Sequence, residues 1–113
     1  MLVIRNEQMA AFAEAATQAF AERLVARIRE RAPARYAELR VVGARALAAE
    51  VIAKGEAYGV DGTTDVEALL DVVLRHGIAF EEREGHESVR SVLEDPALDG
   101  SQKMSLLRGQ LLR

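Results

Sequence analysis

Apolar residues recur at spacings of three and four along most of this chain, and the stretches between them carry residues that stop helices. The first such segment spans residues 6–31, where Met9, Phe12, Phe20, Leu24 and Ile28, with Ala16 between, define one face of an amphipathic helix. Asn6 is the expected N-cap, with Glu7 favourably placed against the helix dipole. Pro33 disfavours helical geometry at Ala32 and so marks the stop. Residues 34–40 fit a short helical turn that packs Tyr36 and Leu39. A second strong helix is expected over residues 42–58, on the series Ala44, Leu47, Ala48, Val51, Gly55 and Tyr58, with Gly59 suited to its left-handed end. Gly55, inside that helix, implies a close approach by another helix, because an interior glycine costs about 1 kcal/mol relative to alanine.

Thr64 and Glu67 have capping-box spacing, and Val66, Leu69, Leu70, Val73 and Leu74 give a third helix a wide apolar face that closes at His76-Gly77. Ile78-Ala79-Phe80 reads as an apolar latch, and residues 81–86 as a solvated charged loop. Residues 87–94 form a short helix on Val89, Val92 and Leu93, ended by Asp95-Pro96. Ser101 is the expected cap of a last helix over residues 101–112, with Met104, Leu107 and Leu111 inward. Strand alternation and internal repeats are absent, so the pattern predicts one all-α domain over residues 1–113, a bundle of four or five helices.

Composition narrows the chemistry. The absence of cysteine excludes disulfides, thiolate metal sites and cysteine nucleophiles. No apolar run reaches the roughly 18 residues of a membrane span, and Met1-Leu2-Val3-Ile4 is too short for a signal-peptide core, so a soluble, cytoplasmic chain is expected. The net charge of −3 is unevenly spread: residues 1–60 hold nine basic and seven acidic side chains, residues 61–100 hold three and eleven. Only residues 23–45 could supply the coherent positive footprint that nucleic acid needs, which disfavours that partner.

The polar residues assign no reaction. His76 and His86, with Asp71, Glu81, Glu82 and Glu84 nearby in sequence, lack both HExxH and a repeated ExxH pattern, so no metal or other cofactor is expected. Ser88, Ser91, Ser101 and Ser105 sit in capping or helical contexts, and the glycines form no phosphate-cradling loop. A non-enzymatic role follows. Two charged groups stand out as partner-binding candidates: the basic edge Arg23, Arg27 and Arg31, recurring every four residues, and the acidic segment Glu81, Glu82 and Glu84. Ordinary solvated helix and loop surfaces would look the same.

The opening Met1-Leu2-Val3-Ile4-Arg5-Asn6-Glu7-Gln8-Met9, the helix ending Lys54-Gly55-Glu56-Ala57-Tyr58-Gly59-Val60, and Val92-Leu93-Glu94-Asp95-Pro96 followed by Lys103-Met104 are arranged in an order that spans nearly all of the chain. That arrangement resembles a family of small helical proteins encoded beside type VI secretion spike and effector genes. The family's aromatic residue at the start of the fourth helix is replaced here by Glu87, Ser88 and Val89. The resemblance implies a protein partner, a secreted effector or spike component, and an adaptor or accessory role. An immunity protein that neutralises a cognate toxin is the alternative, and a nucleic-acid-binding helical module a further one.

Overall fold

A computed structural model describes residues 2–112, with side chains described from residue 17 onward. Five helices follow one another: α1 (Leu2–Arg31), α2 (Pro33–Ala57), α3 (Thr63–His76), α4 (Glu87–Glu94) and α5 (Gly100–Leu111), with a 3-10 turn at Phe80–Glu82. The domain is all-α, as the spacing predicts; no strand occurs among the described residues. No described helix is long and apolar enough to cross a membrane.

Local chemistry sets most of the boundaries. Ala32 is the single non-helical residue between α1 and α2, because Pro33 lacks an N–H and forces the residue before it out of helical geometry, yet itself suits a helix start. The expected turn at 34–40 and helix at 42–58 are two parts of α2, which leaves helical geometry at Arg40 (φ 60°, ψ −179°). Gly59 takes φ 74° after α2, a conformation that L side chains resist. A Cβ on Gly55 would lie 2.3 Å from the Val60 carbonyl oxygen and 3.6 Å from the Leu69 side chain of α3, so the expected neighbouring helix is in contact here while the chain's own return makes the tighter approach.

Three expected caps form differently. α1 starts at Leu2, which leaves Asn6 inside the helix; the Asn6 side chain and the face at Met9, Phe12 and Ala16 lie outside the described side chains. α3 starts after Gly62 with no side-chain cap, so the Thr64–Glu67 box does not form, and Glu67 turns to arginines of α1 instead. α5 is capped by Asp99, whose carboxylate accepts from the Gln102 N–H at 2.8 Å while Gln102 Oε1 accepts from the Asp99 N–H at 2.9 Å. Asp99 stands one residue before Gly100 and binds the third helical position, which displaces Ser101 from the role; the Ser101 hydroxyl donates to Asp65 of α3 at 3.0 Å.

α1 and α2 form an antiparallel hairpin, and α3 lies against both and runs alongside α1. α5 runs parallel to α3 on its other side, tied at one end by Ser101 to Asp65 and at the other by His76 Nε2 to the Leu111 carbonyl at 2.8 Å. α4 packs against α5 and the 3-10 turn, which in turn touches α3. The smallest extent is 19 Å, two helix layers at about 10 Å each. Leu24 and Ile28 of α1, Val51 of α2, Leu69, Leu70 and Val73 of α3, Phe80, Leu93 of α4 and Met104, Leu107 of α5 share one buried core.

Candidate functional site

The basic edge of α1 does not face open solvent. Spacing of four places Arg23, Arg27 and Arg31 on one stripe, and the parallel α3 carries Glu67 and Asp71 at the same spacing, so the two rows meet in register. Arg27 grips Asp71 with both ends of its fork, Nε to Oδ1 at 3.0 Å and Nη2 to Oδ2 at 2.8 Å, and reaches Glu67 at 3.2 Å. Hydrogen bonding to Asp71 raises the Arg27 pKa further; burial opposes it, and the charges of Asp71, Glu67 and Glu30 add to it. Arg23 touches Glu67 at 3.3 Å and Arg31 stands 4.0 Å from Asp71, with more than half of each side chain exposed. The stripe is thus an interhelical lock at its centre, and only its two ends present charge outward.

The acidic segment divides in the same way. Glu82 and Glu84 are exposed, as a solvated loop would have them, but Glu81 is only 5% exposed. The 3-10 turn that buries Phe80 carries Glu81 inward with it, against the last turn of α2. Its Oε2 accepts from the Lys54 ammonium and from the Tyr58 hydroxyl, the latter at 3.0 Å, while Oε1 is buried without a partner among the described residues. The Lys54 ammonium also lies 5.3 Å from the centre of the Phe80 ring and 5.6 Å from that of Tyr58. Burial pushes the Glu81 carboxyl up. Hydrogen bonds from Lys54, from its own backbone and from Tyr58, with the Lys54 charge, outweigh burial and hold it below the usual carboxylate range. Burial raises the Tyr58 pKa, and the bond to Glu81 and the Glu81 charge raise it further.

Lys103, which entered the sequence reading only through the resemblance, is 6% exposed and donates to the Tyr58 carbonyl at 2.7 Å, satisfying the end of α2 from α5. Sequence offers no signal for this, because the two residues are 45 positions apart. The histidines meet, with ring centres 5.9 Å apart and edges to faces. Since a carbonyl can only accept, Nε2 of His76 must carry the proton it gives to Leu111, and Nδ1 of His86 the proton it gives to Phe80 at 2.7 Å. His86 is therefore half-buried at the start of α4 and not the free loop residue its charged neighbours suggest. Among the described residues no three histidine, aspartate or glutamate side chains gather where they could hold a metal ion.

A concavity with charged groups on its rim lies between the parallel helices α3 and α5. One hollow of about 580 Å³ separates Asp65 and Ala68 from Met104, Ser105 and Gly109. A second of about 450 Å³ continues it past Leu74, where Arg31 and Arg75 stand beside Asp71; Arg108 and Leu112 line both. The exposed lining is more polar than apolar, since Ala68 and Met104 are already buried in the core, and the groove ends among three guanidinium groups. The Arg108 guanidinium is exposed and makes no hydrogen bond or ion pair with a described residue, while Asp71, the one carboxylate at that end among the described residues, is already held by Arg27. Spacing along the chain could not reveal this groove, because it exists only once α5 lies parallel to α3. No family pattern, curated protein or solved structure matches the chain.

Proposed function

We propose that this chain is a non-enzymatic protein-binding module that acts in the cytoplasm as an adaptor for a type VI secretion effector or spike component. The α3–α5 groove carries the binding part of this reading: it is bordered by the exposed Arg108, whose guanidinium makes no hydrogen bond or ion pair with a described residue and so offers its charge to a carboxylate of a protein partner. The secretion role rests on the resemblance of the chain's opening, the α2 ending and the α4 ending to that family. Arg31, at the outer end of the α1 stripe, belongs to the groove and keeps its place as a partner-binding candidate; Arg23 and the exposed Glu82 and Glu84 are secondary.

Co-purification of the tagged protein expressed with its genomic neighbours, read by mass spectrometry at low and moderate salt, tests the role. An effector or spike component retained at moderate salt, with the effector still active in the complex, is the expected result. An effector silenced in the complex would make the chain an immunity protein, and recovery of nothing, or of salt-sensitive nucleic acid, would overturn the secretion reading. Charge reversal belongs at Arg31 and Arg108, which should weaken capture with the fold intact. Reversal at Arg27 would break the α1–α3 lock and confuse unfolding with loss of binding.

A further inference from the structure

Aspartate followed by glycine occurs twice in this chain, at Asp61-Gly62 and at Asp99-Gly100. The pair is a reactive setting for an aspartate, because glycine has no Cβ to shield its backbone nitrogen from the preceding carboxyl group. The fold treats the two copies oppositely. At the start of α5 the Asp99 carboxylate accepts from the Gln102 N–H at 2.8 Å, its own N–H donates to Gln102 Oε1 at 2.9 Å, and its carbonyl accepts from the Lys103 N–H at 3.0 Å. Gly100 is held too, since a Cβ there would stand 2.9 Å from the Gly59 carbonyl oxygen and 3.2 Å from Val60 Cα. Asp61, by contrast, is exposed, and neither its carboxylate nor the Gly62 N–H makes a hydrogen bond with a described residue. The chain is anchored only on either side of that link: the Val60 N–H donates to the Gly55 carbonyl at 2.7 Å, and the Gly62 carbonyl accepts from the Val66 N–H at 2.9 Å.

We infer that Asp61-Gly62 is a site of spontaneous isoaspartate formation, and through it a substrate for an enzyme that methylates isoaspartyl carboxylates. The Gly62 nitrogen attacks Cγ of Asp61 and forms a new C–N bond, and the amide proton and the carboxyl hydroxyl leave together as water. A second water then opens the cyclic imide at one of its two carbonyls. Opening at Cγ restores the aspartate. Opening at the original Asp61 carbonyl leaves the chain running through Cβ and Cγ, with the α-carboxylate as a side group. No oxidant, reductant or cofactor enters, and the net charge is unchanged. The backbone is then one methylene longer at the entry to α3, where the Gly62 carbonyl holds the first turn and Asp65 accepts the Ser101 hydroxyl of α5 at 3.0 Å. The modification therefore disturbs both the start of α3 and its tie to α5.

Incubation of the full chain for weeks at neutral pH, followed by trypsin digestion and electron-transfer fragmentation, reads both sites. Cleavage after Lys54 and Arg75, and after Arg90 and Lys103, places them in separate peptides. Isoaspartate should accumulate at Asp61 at least about fivefold faster than at Asp99 in the folded protein, and at nearly equal rates in urea, where the α5 cap is gone. Gly62→Ala should slow the reaction at Asp61 with the fold intact, because φ −71° and ψ 144° suit any residue. Gln102→Ala, which opens the capping box, should speed the reaction at Asp99 and leave Asp61 as it was. The aged protein should take up methyl groups from S-adenosylmethionine, in the presence of an isoaspartyl carboxyl methyltransferase, in proportion to the isoaspartate at Asp61. Equal rates at the two sites in the folded chain, no isoaspartate at Asp61, or a reaction that Gly62→Ala leaves as fast would overturn the inference. Isoaspartate that forms at Asp61 without being methylated would overturn its second part. The comparison of the two sites in the unsubstituted chain stands whether or not either variant folds.

Discussion

Lys54 and Glu81 are unequal partners, and their inequality has measurable consequences. The Lys54 side chain keeps 14% of its surface in contact with solvent, whereas Glu81 keeps 5% and holds one oxygen unpartnered. Lys54→Met strands an ionised carboxylate in the interior, which costs about 3–5 kcal/mol; Glu81→Leu frees an amine that can turn to water and costs less. The double variant Lys54→Met/Glu81→Leu should recover most of the loss, because neither charge is left behind; urea unfolding at neutral pH measures all three. The same pair makes stability depend on pH. Glu81 has a folded pKa below its unfolded value, so its contribution is complete above about pH 4.3 and is lost as pH falls further, through the lower folded value. Thermal unfolding of Glu81→Gln between about pH 5 and 3 should show a shallower decline than wild type, and parallel declines would remove the pair as the cause.

Among helices, α2 carries its own strain. At Arg40 an L residue occupies φ 60° and ψ −179°, a region tolerated by glycine and costing other residues about 1–3 kcal/mol. What holds it there is packing on either side: Tyr36 and Leu39 are drawn to the core before the break, Arg35 donates to the Leu74 carbonyl at 3.1 Å, and Ala44 and Leu47 are buried after it. A straight helix would pull one of these sets away. Arg40 is exposed, so Arg40→Gly removes strain and no burial; a rise in Tm of a few degrees is expected, on the order of 4 °C per kcal/mol for a domain of this size. A fall in Tm would show the strain to be absent. The helix pair α1 and α3 behaves differently, since its arginine and carboxylate rows match without distortion of either backbone.

For the molecule as a whole, α3 is the member on which the others depend. It packs against α1, α2, α5 and the 3-10 turn, and six of its fourteen residues are buried. Opening it requires exposing the centre of the core, whereas α4, with two buried residues in eight, can leave at the edge. Amide exchange should therefore be slowest over residues 69–73 and reach the global unfolding limit there, with α4 exchanging by a lesser opening; equal protection in the two helices would contradict this.

The order of elements and most inward residues of α3, α4 and α5 were legible in the spacing of apolar side chains, because a period near 3.6 fixes which residues share a face; Ala68 and Val72 of α3 are buried as well, because helices pack on more than one side of it. Pro33 and Gly59 were legible too, since their constraints act within one or two residues. Tertiary structure decided the meaning of the charges. Glu81 reads as solvated beside Glu82 and Glu84, and only the seating of Phe80 turns it inward onto Lys54, 27 positions away. Arg23, Arg27 and Arg31 read as a positive edge until α3 brings Glu67 and Asp71 alongside, and the groove that ends at Arg31 and Arg108 arises from the parallel course of α3 and α5. Spacing is a property of one helix, whereas neutralisation, burial and concavity depend on which helices become neighbours.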